Sequence, residues 1–73
     1  MKFNHSKLIG RMRELGFTQE QLAKAIGMSR ATLGEKLKGR FYFTTKEIYR
    51  ICKVLNIDLK DIGDYFFATA VCI

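Results

Sequence analysis

Apolar residues recur along this chain at helical spacing. Leu8, Met12 and Leu15 fall at i, i+4 and i+7. Leu22, Ala23 and Ile26 form a second stripe, Ala31, Leu33 and Leu37 a third, and Ile48, Ile51, Cys52 and Leu55 a fourth. Polar start signals and glycine stops divide the stripes. Asn4 or Ser6 caps a first helix from about Asn4 to Leu15, which Gly16 ends. Thr18 followed by Gln21 is a capping-box pattern for the second, with Phe17 placed to staple back onto it. Ser29 caps the third, and Gly39 ends it. Thr44 with Glu47 is another capping box and opens the fourth, which stops at Asn56. Asp58 caps a short fifth helix through Ile62, with Leu59, Ile62 and Phe66 facing inward and Gly63 weakening it. Arg40 to Phe43 reads as a loop. The β-branched and aromatic residues from Tyr65 to Ile73 favour an extended strand. The pattern predicts an all-α fold: one compact bundle of four to five helices over residues 1–73, with an extended C-terminal tail.

Thr18 to Lys38 is the most informative stretch. Two short helical patterns meet there at a single break, Gly27, where a positive φ costs nothing. Small Ala23 lets the two helices approach closely. Arg30, Lys36 and Lys38 lie on the polar faces of the second pattern. This is the construction of a helix-turn-helix, whose second helix is free to enter a DNA major groove.

Charge sharpens that reading. The net charge is +6, but residues 1–29 carry +3, residues 30–53 carry +5 and residues 54–73 carry −2. Positive charge therefore peaks on and just after the second helix of the motif, where a phosphate backbone would lie. The acidic, aromatic C-terminal quarter is expected to stay off the DNA. No apolar run approaches the roughly 20 residues that span a membrane, and the N-terminus lacks the apolar segment of a signal peptide. Cys52 and Cys72 with the single His5 are too few for a structural zinc site. They read as two reduced thiols and a surface histidine in a cytoplasmic protein, with no metal and no cofactor.

The stretch Leu15 to Gly39 resembles the phage repressor and Cro family of helix-turn-helix proteins. Thr18-Gln19, Leu22-Ala23, Ile26-Gly27, Ser29-Arg30 and Leu33 carry the match. The run Lys36 to Arg40, then Phe43-Thr44, Glu47-Ile48, Leu55, Ile57, and Ile62-Gly63 with Tyr65-Phe66-Phe67 extends it to small phage-encoded regulators. The resemblance implies a lambda-repressor-like DNA-binding domain. It assigns base reading to Ser29, Arg30, Ala31, Gly34 and Glu35, and phosphate clamping to Thr18 and Gln19. Two departures stand out. Met12 replaces a common basic residue, and the apolar residue after Leu33 is Leu37, with Lys36 at the usual apolar position.

Chemistry supports part of that assignment. Arg30 can grip guanine O6 and N7, and Ala31 can touch a thymine methyl. Glu35 can accept from cytosine N4, orient Arg30 or pair with Lys36. Lys36, Lys38, Arg40, Tyr42 and Lys46 are candidate phosphate contacts. Tyr65, Phe66, Phe67, Val71 and Ile73 form a candidate dimer or partner surface. An enzyme is not expected, because no base stands beside a nucleophile and no carboxylates pair in a cleft. The sequence thus predicts a sequence-specific transcriptional regulator of phage or prophage type, binding double-stranded DNA as a homodimer. The alternative is an antirepressor or modulator that uses the same fold to bind another regulator, a heterologous repressor protein.

Overall fold

The computed structural model describes residues 4–67. Five α-helices follow one another: α1 (Ser6–Glu14), α2 (Gln19–Ile26), α3 (Arg30–Leu37), α4 (Thr45–Leu55) and α5 (Ile62–Phe66), with one 3-10 turn, Leu59–Asp61, before α5. Helix α3 packs on α2, α2 on α4, and α5 on α1 and α4. The all-helical bundle is the one the apolar periodicity predicts. Val71 and Ile73, and the strand expected around them, lie outside the described residues.

Local chemistry sets the boundaries. Thr18 and Thr44 both form the reciprocal capping box, each accepting from the backbone three residues on while Gln21 or Glu47 reaches back. Ser29 caps α3 through the Thr32 N–H at 3.1 Å, and Asn4 Oδ1 accepts from the Ser6 N–H at 2.8 Å. The helix ends share one device. After each of α1 to α4, the chain turns through a positive φ at Gly16, Gly27, Gly39 or Asn56. The next N–H then reaches back to a carbonyl five residues earlier, as from Met28 to Ala23 at 2.9 Å.

Leu8, Leu22, Leu33, Ile51, Leu55 and Phe66 are fully buried and form the centre of the core. Two arginines tie helix ends together. Arg11 Nε donates to the Leu55 carbonyl at 3.0 Å, and Arg50 Nη1 to the Ile26 carbonyl at 3.3 Å.

Four expectations about packing are corrected. Leu15 is 42% exposed, because α1 stops at Glu14 and the turn at Gly16 carries Leu15 outward. Ala31 is exposed, and the inner stripe of α3 is Leu33, Gly34 and Leu37. Leu59 is 56% exposed, because a 3-10 turn rather than an α-helix holds it. The last helix instead runs through Gly63 to Phe66, so Tyr65 and Phe66 are helical and not extended.

His5 is also corrected. It is 4% exposed, with its ring edge-on to Phe43 at 5.3 Å, and Phe43 in turn meets Phe66 edge-on at 5.5 Å. Neither ring nitrogen makes a hydrogen bond of full geometry among the described residues. Burial lowers its pKa below the ordinary 6.5; the nearby Leu37 and Phe66 backbones act in the opposite direction without offsetting it.

Candidate functional site

The site is built on α3 and the loop that follows. Ser29, Arg30, Ala31 and Thr32 are exposed at the cap and along the first turn. The positive-φ turn at Gly27 and the Ser29 cap set the start of α3. Arg30 extends from the surface without an ion pair among the described residues.

Gly34 does not join the others. It is buried, and a Cβ there would lie 2.7 Å from Gln19 Nε2. The missing side chain makes room for Gln19, whose Nε2 donates to the Arg30 carbonyl at 3.0 Å. Gly34 therefore presents no surface to a base, and the Gln19 amide nitrogen joins α2 to α3. Thr18 is exposed, but its hydroxyl is engaged in the capping box with Gln21.

The expected phosphate contacts divide into two groups. Lys36 is inward: its Nζ meets Glu47 Oε1 at 2.5 Å, with only 12% of its side chain exposed. Burial raises the Glu47 pKa, but the hydrogen bonds and charge of Lys36 and the Thr44 contacts bring it below the ordinary 4.5. Arg40 Nε lies 3.4 Å from Glu35 Oε2, a contact of charges without hydrogen-bond geometry. Glu35 thus faces Arg40, neither of the two cations weighed from sequence. Lys38, Tyr42 and Lys46 remain exposed.

Sequence reasoning missed a groove. Ala31, Thr32, Glu35, Lys36, Phe41 and Tyr42 line an open depression of about 600 Å³ on the outer side of α3. Phe41 is 61% and Tyr42 68% exposed. The signal was present in three aromatics in a row, Phe41-Tyr42-Phe43, but which of them point outward depends on the loop path. Phe43 turns in toward His5 and Phe66.

The C-terminal candidate surface is smaller than expected. Phe66 is 1% exposed and belongs to the core. Tyr65 is half-buried, with Lys7 Nζ 4.9 Å from its ring centre, and Phe67 is 49% exposed. No helix among the described residues is long and apolar enough to cross a membrane.

Residues 1–69 match the family described as "Protein of unknown function (DUF739)". The chain belongs to this family. The solution structure of the modulator of repression (MOR) of the temperate bacteriophage TP901-1 from Lactococcus lactis is similar across nearly the whole molecule. The TM-score is 0.77 at 34% identity, covering 92% of this chain and 90% of that one. The ImmF control region 10 kDa protein of Bacillus phage phi105 is 40% identical over 47 residues, 64% of this chain. That match spans 52% of the phage phi105 protein's length. An uncharacterized HTH-type transcriptional regulator of Archaeoglobus fulgidus is 37% identical over 49 residues, 67% of this chain and 69% of that protein. The chain is thus similar to phage regulatory proteins and to HTH-type transcriptional regulators.

Proposed function

We propose that the protein acts in a phage-type genetic switch by binding another DNA-binding regulator through the outer face of α3. The groove carries this reading. A base-reading helix presents donors and acceptors to base edges, whereas here the middle of that face is an apolar depression framed by Phe41 and Tyr42, with Glu35 beside it. Exposed aromatics clustered in this way are characteristic of protein-binding surfaces. Two expected phosphate contacts, Lys36 and Arg40, already face carboxylates. The likeness to a modulator of repression over nearly the full chain agrees with this reading.

Direct operator binding is the second reading. Arg30 at the start of α3, without an ion pair among the described residues, exposed Lys38 and Lys46, and the net charge of +6 favour it. The discriminating experiment is a gel-shift assay on operator DNA. The helix-turn-helix repressor encoded in the same phage or prophage is added with and without this protein. Under the first reading the protein shifts no DNA alone and abolishes the repressor's shift. Under the second it shifts DNA alone, with affinity falling by a log–log slope of about −0.9 per phosphate neutralised.

A further inference from the structure

A separate cleft of about 520 Å³ lies where α1 faces the start of α2 and the end of α3. It shares no residue with the groove of Phe41 and Tyr42. Its floor is apolar. Met12 and Leu37 are buried, and Ile9 and Phe17 are half-buried. Its polar rim comes from three elements: Arg13 from α1, Thr18 and Gln19 at the start of α2, and Lys38 just after α3.

Four of the molecule's cations face carboxylates, while others, Arg30 and the two at this rim among them, have no ion-pair partner among the described residues. Lys7, Arg11, Lys36 and Arg40 each face a carboxylate. Arg13 and Lys38 are both exposed, and neither has an ion-pair partner among the described residues. Among the described residues, no Asp or Glu lines the cleft. The first turn of α2 adds the N–H of Gln19, which has no acceptor within the helix.

We propose that this cleft binds a small amphipathic anion, an apolar chain or ring carrying one carboxylate. The apolar part covers Met12, Phe17 and Leu37, and the carboxylate sits between Arg13 and Lys38. Both halves of the ligand are needed. A bare inorganic anion would satisfy the rim and leave the floor wet, and a neutral chain would cover the floor and leave both cations unpaired. The volume falls within the range of small-molecule sites, about 300–1,000 Å³. A ligand seated there abuts Gln19 and Gly34, and so touches the bridge that joins α2 to α3.

The test is a titration of the full chain with octanoate below its micelle threshold, followed through backbone amide shifts. Saturable shifts are expected at Ile9, Phe17, Gln19 and Lys38. Octanol, of equal chain length, should bind about tenfold more weakly, as expected for loss of charge-assisted hydrogen bonds. Inorganic phosphate should not move the floor residues. The double variant Arg13→Gln/Lys38→Gln changes two exposed side chains. It should keep its melting temperature and lose about tenfold in octanoate affinity. Any of four results would overturn the proposal: no saturable binding, shifts confined to another face, equal affinity for octanoate and octanol, or a double variant that binds octanoate unchanged.

Discussion

The Gln19 side chain lies against Gly34, and its Nε2 donates to the Arg30 carbonyl at 3.0 Å. A glycine in the middle of α3 is thus explained by the helix beside it. The relationship fixes the start of α3 on α2 and removes one amide from the surface that a phosphate would meet.

Gly34→Ala should leave stability within about 1 kcal/mol of wild type. Alanine improves helix propensity by about 1 kcal/mol, while displacing the Gln19 amide forfeits a hydrogen bond worth about 1 kcal/mol. The atoms nearest the added Cβ all belong to the far end of the flexible Gln19 side chain. Denaturant unfolding measures the balance. A loss above about 3 kcal/mol would mean that the Gln19 bridge is far stronger than an ordinary hydrogen bond.

His5 should make the fold acid-sensitive. Its folded-state pKa lies below the ordinary 6.5, so the unfolded chain binds the proton more readily. Its contribution is therefore fully present above 6.5 and is lost as pH falls through the lowered folded value. His5→Phe removes two buried nitrogens that make no hydrogen bond of full geometry among the described residues, and can keep the edge-on contact with Phe43. The variant should be at least as stable as wild type at neutral pH and should lose that part of the pH slope. Unfolding curves across the mildly acidic range would reveal both effects.

The Lys36–Glu47 pair should act lower on the pH scale. The Glu47 pKa is lowered from 4.5, so the pair's contribution is intact above 4.5 and is lost as pH falls through the lowered value. Glu47→Gln keeps an acceptor for the Thr44 N–H but removes the charge. It should destabilise the domain by about 1–3 kcal/mol at neutral pH. Adding Lys36→Met should recover part of that loss, because the lysine is no longer left buried and unpaired. A double variant as unstable as Glu47→Gln alone would contradict this assignment.

Phe66 and Leu59 should differ sharply in their response to truncation. Phe66 is 1% exposed and Leu59 is 56% exposed. Phe66→Ala should cost about 3–5 kcal/mol, a large share of the stability of so small a domain. Leu59→Ala should change stability by less than about 0.5 kcal/mol. Thermal melts of the two variants check this directly.

These contrasts show what the chain's order of residues reveals and what it hides. Capping boxes at Thr18 and Thr44 and the stop at Gly27 are local, so they are legible without the fold. The stripe of α4 reads correctly because Ile48, Ile51, Cys52 and Leu55 repeat at helical spacing along a single helix. Leu15, Leu59 and His5 misled because their burial is decided by where a helix stops and by what crosses above it. The Gln19–Gly34 contact and the outward turn of Phe41 and Tyr42 are tertiary facts. They depend on the angle between α2 and α3 and on one loop path, neither of which periodicity specifies.

The central claim is that the outer face of α3 engages a regulator protein through Phe41 and Tyr42. The most direct measurement is calorimetric titration of the phage repressor's DNA-binding domain with wild-type protein and with Phe41→Ala/Tyr42→Ala. Both side chains are more than half exposed, so the variant should stay folded. The account predicts saturable binding by wild type and a loss of at least about tenfold in the variant, a change of about 1.4 kcal/mol. Unchanged binding by the variant, or no binding by wild type together with tight, salt-dependent binding to duplex DNA, would contradict it.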